Sequence, residues 1–462
     1  MSRALVVGYR VAGQAVAHAW MAAGGEAVAV DDAPSDADRQ AAVTRGVELV
    51  VAPERGRLDQ LCSWADVVVV SPGIPVGHPV YAAAKAAGAE VLSEIELAWR
   101  VAVDVAEDPD RPGRPAARLV AITGTNGKTT VTTLVADALV RSGRRAVPAG
   151  NIGMPLVDAF TATPAPEVVV AEVSSFQLQF TRDFRPDVSC WLNLTPDHLD
   201  WHPTTAHYRA AKERVWVNQG PGDVAVANAD DPVVMDAAGH LPAGVQLVTF
   251  STKERADWWE DGPVLRGPDG PLLDSARLAR NLPHDRANAL AAAAVAACAG
   301  ATPDGTREAL ATDLPLPHRV QRVAEGGGVV WYDDSKATTP ASVLAAVAGF
   351  DSVVLIAGGR NKGLDLGVLA ATVPPVRAVV AIGEAAGEVE AAFAGLVPVE
   401  RAGSMAEAVE RAGARSRPGD AVVLSPGCAS FDWYRSYGAR GDEFSQLARK
   451  FLGKGGSSDA PS

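Results

Sequence analysis

The stretch Ala121-Ile122-Thr123-Gly124-Thr125-Asn126-Gly127-Lys128-Thr129-Thr130 decides how the chain is read. Leu119 to Ile122 is an apolar run of buried-strand length, and Val131, Leu134, Val135, Ala138 and Leu139 recur behind it at helical spacing. A strand, a glycine turn and a helix N-terminus aim several backbone N–H groups at one point. Such a point binds phosphate, because amides and helix dipole attract anionic oxygens and Lys128 adds a full charge. Thr129 offers a hydroxyl where a nucleotide-bound Mg²⁺ would sit. The common GxxxxGK[ST] pattern needs glycine at Ile122, so this is a shorter version of it. The stretch implies an ATP site.

Outside the loop, composition sets the bounds. At 462 residues, with a soft prior of about 150 residues per domain, the chain should hold about three. Hydrophobic residues make up 48% and charged residues 21%, the balance of a soluble globular protein. No run of about 18 apolar residues is present, and MSRALVVGYR leads straight into a strand, so neither membrane insertion nor a signal peptide is expected. Cys62, Cys190, Cys298 and Cys428 are scattered without metal-ligand spacing. A net charge of −13 argues against nucleic acid as a partner, yet leaves room for a polyanionic small substrate held by local positive charge. The compartment expected is the cytoplasm.

The first 105 residues alternate strand and helix: strands at Ala4 to Val7, Ala27 to Val30 and Asp66 to Val70, with a small-residue helix from Gln14 to Ala23. Glycine after the first strand gives a Rossmann-like pattern, although Gly8 and Gly13 spell GxxxxG, and Asp31-Asp32 closes the second strand. Residues 104–117 are rich in proline and charge and read as a linker. Ala287 to Ala299 is a helix by composition. Leu314-Pro315-Leu316-Pro317 reads as a second hinge. Strands at Val329 to Tyr332, Ser352 to Ala357, Ala378 to Ile382 and Ala421 to Leu424 then mark another α/β unit, and a disordered tail is expected after Gly453. The fold class is α/β with three domains: a Rossmann-like one at 1–105, a P-loop ATPase-like one at 106–314 and a Rossmann-like one at 315–453. Residues 454–462 form the tail.

Several clusters carry chemistry. In AEVSSFQL, Glu172 leaves a buried strand in the phosphate-loop domain, and its oxygens suit Mg²⁺. In NLTPDHLDWHP, His198 and Asp200 follow another strand, while His202 and His207 read as solvated neighbours. Strand ends carrying Gly124 and Lys128, Glu172 and His198 should converge on one sheet edge. Lys212 lies on a helix with Tyr208 and Val215 at i−4 and i+3, and periodicity alone makes it a surface charge. His318 and Arg319 follow the second hinge. Asp333-Asp334-Ser335-Lys336-Ala337-Thr338, Gly358 to Gly363 and Ser425 to Tyr434 each end a strand. Lys336 and Lys362 at adjacent strand ends would make a cationic pocket for a small dicarboxylate or for phosphates.

GTNGKTT, GNIG (Gly150 to Gly153), EVSSFQL, NLTPDHLDWH, YRAAK, DDSKAT, GGRNKG and SPGCASFD, in this order, resemble the Mur ligase family of ATP-dependent amide-forming enzymes over nearly the whole chain. The combination is most similar to the member that adds D-glutamate to UDP-N-acetylmuramoyl-L-alanine in peptidoglycan precursor synthesis. The alternative is a sibling ligase taking L-glutamate or another amino acid. The resemblance implies a UDP-binding N-terminal domain, a central ATPase and an amino-acid-binding C-terminal domain, in a monomer whose hinges close on the reactants. It implies that Gly124, Thr125, Asn126, Gly127, Lys128, Thr129 and Thr130 hold ATP, together with Asn288, Arg319 and Asp334. Thr129, Glu172, His198 and a carbamylated Lys212 would hold Mg²⁺. Asn151 and Ser175 fall to the acyl substrate, and Lys336, Thr338, Lys362, Ser430 and Tyr437 to glutamate. Two stretches depart from the family pattern: Gly8 to Gly13 lacks a second loop glycine, and Asp432-Trp433-Tyr434 places bulky aromatics beside the amino-acid motif.

Overall fold

Long runs of valine and isoleucine without polar alternation form strands buried on both faces, and that is what parallel sheets require. The structure, a computed structural model, describes residues 2–105, 108–198, 201–314 and 316–455. Among these residues the strands form three sheets. The first is parallel, in the spatial order Glu48–Val51, Glu26–Asp31, Arg3–Val7, Val67–Val70, Glu90–Ser93. The second runs Gly270–Asp274, Val264–Gly267, Trp258–Asp261, Gln246–Ser251, Val224–Asn228, Val188–Trp191, Arg118–Thr123, Val168–Glu172, Ala146–Gly150. Its last seven strands are parallel, and Val264–Gly267 and Gly270–Asp274 extend the far end by antiparallel pairing. The third runs Gln321–Gly326, Val329–Asp333, Ala421–Leu424, Val353–Gly358, Val376–Ile382, Val399–Ala402, parallel except for its first strand.

The chain divides into two compact units. One holds the first two sheets; the other holds the third sheet and takes in the described residues of 195–200 and 280–285. Within the first unit the two sheets share one apolar core. Val6, Tyr9, Ile95 and Trp99 belong to the same cluster as Leu119, Val169, Phe184 and Trp191. Helix Glu94–Val105 makes that junction. Its Glu96 carboxylate, fully buried, accepts from the backbone N–H groups of Arg182 (2.8 Å), Asp183 (3.0 Å) and Phe184 (3.0 Å), and Arg100 Nε donates to it at 2.9 Å. The Val157 N–H donates to Glu94 at 3.0 Å.

Of the expected linker at 104–117, residues 106 and 107 lie outside the described residues, and the segment that follows is pinned. Arg114 reaches Asp187 (2.6 Å) and Asp223 (2.5 Å), and Arg111 also pairs with Asp187. The second hinge includes Pro315, which lies outside the described residues. Helix Tyr437–Gly455 carries two residues of the expected tail, Lys454 and Gly455, because the helix is unbroken there; residues 456–462 lie outside the described residues.

Candidate active site

Strand Arg118–Thr123 sits between Val168–Glu172 and Val188–Trp191, so the segments that follow all three leave from one edge of the sheet. The turn after Thr123 is built on glycine for steric reasons. Gly124 (φ 152°) and Gly127 (φ 84°) take backbone conformations disfavoured for L residues. A side chain at Gly124 would meet Leu192 Cβ at 2.9 Å, and one at Gly127 would collide with Asn288 Oδ1. Asn288 thus lies against the loop. Helix Lys128–Arg141 starts directly after Gly127, without a side-chain cap, and its first N–H groups lie at the expected phosphate point.

Glu172 is the centre of the edge. It is 3% exposed, accepts Thr129 Oγ1–H at 2.7 Å on one oxygen and Asn151 Nδ2–H at 2.8 Å on the other. Gly150 permits this, since a side chain there would collide with the Glu172 carbonyl, and the Asn151 N–H donates to that carbonyl at 2.9 Å. Lys128 Nζ donates to the carbonyls of Gly124 (2.9 Å) and Thr125 (2.8 Å).

Lys212 is not the surface charge that periodicity implied. Helix Thr205–Val217 buries Tyr208, Ala211, Lys212, Val215 and Trp216 on one face, and Lys212 is 1% exposed. Its ammonium donates to the Gly124 carbonyl at 2.8 Å and lies 4.7 Å from the Tyr208 ring centroid. Tyr208 is in turn hydrogen bonded, through its hydroxyl, to Thr125 Oγ1 at 3.2 Å. His202 is likewise not solvated. It is fully buried, bonded through Nε2 to Ser175 Oγ (2.9 Å) and through Nδ1 to His207 (3.0 Å), and stacked on Phe176. His207 is exposed, as expected.

His198 groups with the second unit. Its backbone is left-handed (φ 54°), an unusual conformation for a non-glycine residue. Its N–H donates to Asp197 Oδ1 at 2.7 Å, and its imidazole lies 3.2 Å from the same carboxylate. Asp200 lies outside the described residues.

The second unit gathers its candidates at the edge where strands Val329–Asp333, Ala421–Leu424 and Val353–Gly358 end side by side. Burial, offset by the Ser425 hydroxyl at 2.7 Å and by the Val320 N–H, pushes Asp334 up to about 7. Arg319 is half-buried at the entry to this segment. Lys336 Nζ lies 5.3 Å from the Tyr437 ring centroid, Ser430 is buried, and Thr338 and Lys362 are half-buried. Arg440, 1% exposed, ties the edge together: it donates to Ser335 Oγ (2.8 Å), the Ser335 carbonyl (2.7 Å) and the Cys428 carbonyl (3.1 Å). Sequence reading missed Arg440, which carries no motif, and missed Asn193, quoted only as the first residue of NLTPDHLDWHP.

Among the described residues, no three His, Cys, Asp or Glu side chains cluster as a ready-made metal cage. Glu172 with the Thr129 hydroxyl nonetheless supplies the hard oxygen donors that suit Mg²⁺, an ion commonly held by one or two carboxylates plus substrate phosphates.

Comparison with known proteins agrees with this layout. Residues 122–296 match the Mur ligase middle domain and residues 318–428 the glutamate ligase domain of Mur ligases. The UDP-N-acetylmuramoylalanine--D-glutamate ligase of Frankia casuarinae is 41% identical, covering 96% of this chain and 93% of its own. That of Salinibacter ruber is 41% identical, with 98% of both chains covered. In fold, the chain is similar to the UDP-N-acetylmuramate-alanine ligase MurC of Thermotoga maritima (TM-score 0.61, 16% identity, 98% and 100% covered). It is equally similar to the MurF ligase of that organism in complex with ADP (TM-score 0.61, 17% identity, 93% and 95% covered).

Proposed function

The chain belongs to the Mur ligase family, and on that premise we propose that it joins D-glutamate to UDP-N-acetylmuramoyl-L-alanine at the expense of ATP, in peptidoglycan precursor synthesis. The observation that carries this reading is the identity of about 40% with D-glutamate ligases along nearly the whole length of both chains. That identity spans the regions read as the ATPase and the amino-acid site alike, and so supports both parts of the reading. The resemblance in fold to MurC and MurF, at 16% and 17% identity, supports the scaffold and nothing finer.

The chemistry starts from a poor acylating agent. A carboxylate oxygen of the alanyl group attacks the γ-phosphorus of ATP, the bond to the β-phosphate oxygen breaks, and ADP leaves. The glutamate amine then attacks the carbonyl carbon of the acyl phosphate. The tetrahedral intermediate collapses with release of phosphate, the amine loses its proton, and an amide remains. In this scheme the loop from Gly124 to Thr130 and the first turn of helix Lys128–Arg141 cradle the triphosphate, and Lys128 offsets its charge. Asn151 and Ser175 orient the acyl substrate. Lys336, Thr338, Lys362, Ser430 and Tyr437 bind glutamate, with Lys336 meeting a carboxylate. Asn288, Arg319 and Asp334 serve the nucleotide.

Mg²⁺ would be held by Thr129, Glu172, His198 and a carbamylated Lys212, and supplies charge neutralisation at the phosphates. Carbamylation has a local motive. Lys128 and Lys212 both direct an ammonium at the Gly124 carbonyl, at 2.9 and 2.8 Å. Two like charges so close repel. Neutral Lys212 attacking CO₂ yields an anionic carbamate and a proton, which turns that repulsion into attraction and adds an oxygen ligand. ATP and a nucleotide-linked substrate assign the reaction to the cytoplasm, and no helix among the described residues is long and apolar enough to cross a membrane. Every group invoked lies on one chain, so a monomer suffices.

The deciding assay measures phosphate release from ATP with UDP-N-acetylmuramoyl-L-alanine and D-glutamate, L-glutamate or no amino acid, with the product weighed. Release driven by D-glutamate, with a product heavier by one glutamyl residue, is expected. Release driven only by L-glutamate would overturn the choice of amino acid, and no turnover with either would overturn the ligase reading.

A further inference from the structure

Asn193 sits where two strands hand their chains to the same edge. Thr123 and Trp191 are register partners in neighbouring parallel strands, so the residue two beyond Trp191 arrives beside the Gly124 to Gly127 turn. There both polar atoms of its side chain bind that turn. Its side-chain Oδ1 accepts from the N–H groups of Thr125 (3.0 Å) and Asn126 (2.9 Å). Its Nδ2 donates to the Asn126 carbonyl at 3.2 Å. Its own carbonyl accepts from the Thr125 N–H at 3.1 Å and from Nε1 of the fully buried Trp191 at 3.2 Å. Leu192, the residue before it, packs against Gly124 and Gly127.

We propose that Asn193 is a positioning residue for nucleotide binding, a splint that holds the phosphate loop in its binding shape before ATP arrives. The proposal rests on reading that loop as an ATP site. A turn with glycines at both ends has many conformations to lose, and fixing each residue costs free energy. Binding that must also order the loop is weakened by that amount, and binding to a splinted loop is not. The splint also divides the donors. The amides of Thr125 and Asn126 are engaged by Asn193, which leaves the N–H groups at the start of helix Lys128–Arg141 to face the phosphates.

Asparagine is required, rather than aspartate, because one side must accept and the other donate. Asn193→Asp keeps the shape and the acceptor. It sets a carboxylate oxygen against the Asn126 carbonyl and adds a negative charge close to the triphosphate. Asn193→Ala removes the splint without adding charge. The test is isothermal titration of the full chain with ADP and with a non-hydrolysable ATP analogue in Mg²⁺ buffer, with steady-state KM values alongside. Nucleotide affinity should fall roughly tenfold in the alanine variant, since about two net hydrogen bonds are lost. It should fall at least as far in the aspartate variant, with the KM for ATP raised in parallel and those for the acyl substrate and glutamate within twofold of wild type. A merely structural residue would tolerate the isosteric aspartate better than alanine. Wild-type affinity in Asn193→Asp, or KM values raised equally for all three substrates, would overturn the proposal. Failure of the wild-type chain to bind nucleotide would instead overturn the ATP reading beneath it.

Discussion

A lysine with 1% of its surface exposed must be paired or altered, because an isolated buried ammonium is costly. Lys212 meets a carbonyl and an aromatic ring, and shares that carbonyl with Lys128. If the resting enzyme carries a carbamate there, activity depends on dissolved CO₂. Turnover should fall several-fold in buffer stripped of CO₂ and return on adding bicarbonate, with Lys212→Ala unresponsive to either treatment. Rates that ignore bicarbonate in the wild type would refute the carbamate and leave Lys212 a cation. At this scale the sequence is hardest to read. Periodicity made Lys212 a surface charge, although the face it shares with Tyr208 and Val215 is the buried one. His202 misled in the same way, since its residue type gives no hint of the Phe176 face it stacks on. Arg440 is the extreme case: two of its three acceptors belong to Ser335, in a segment far from it in the chain.

Strands were legible because burial on both faces leaves a continuous apolar run, as at Val67–Val70 and from Val168 to Ala171. Helix Glu94–Val105 was not. Eight of its residues are buried, including Glu94 and Glu96, so charge there signals a junction rather than a surface. The two acids are not equivalent. Glu96 is satisfied by backbone N–H groups, whereas burial, only partly offset by the Val157 and Leu156 N–H groups, pushes Glu94 up to about 7 from an ordinary 4.5. The sign follows from proton counting. Between those values the folded chain keeps a proton that the unfolded chain releases, so this contribution is full below pH 4.5 and is lost as pH rises through 7. Glu94→Gln mimics the protonated acid. It should leave stability near pH 4.5 unchanged and raise it at pH 8 by roughly 1–3 kcal/mol, flattening that segment of the stability–pH curve. Urea unfolding at the two pH values reads this directly, and equal effects at both would show that Glu94 is ionised in the folded protein.

For the whole molecule, three α/β sheets do not mean three independently folding bodies. The first two share the core that runs from Val6 through Trp99 to Leu119 and Trp191, and Glu96 stitches helix Glu94–Val105 to the backbone at Arg182 to Phe184. The third sheet has its own two cores, one around Trp331 and Phe444 and one around Val343 and Phe393. Shared apolar packing is what makes segments unfold together. Composition predicted a flexible joint at 104–117, since proline and charge usually mark linkers, but Arg111 and Arg114 are there as partners for the buried Asp187 and Asp223. Calorimetry of the full chain should therefore resolve two unfolding transitions rather than three. One belongs to both N-terminal sheets, the other to the C-terminal sheet. Glu96→Ala leaves three backbone N–H groups, that of Phe184 buried, without their acceptor, so it should lower the first transition by several degrees and split it. ADP at about a hundred times its dissociation constant adds about 2.7 kcal/mol to whatever body binds it, so the transition that moves identifies the nucleotide-binding unit. A third transition in the unmodified chain would mean that the N-terminal sheet folds alone, and the junction at Glu96 would then be a docking contact that can open during the reaction cycle.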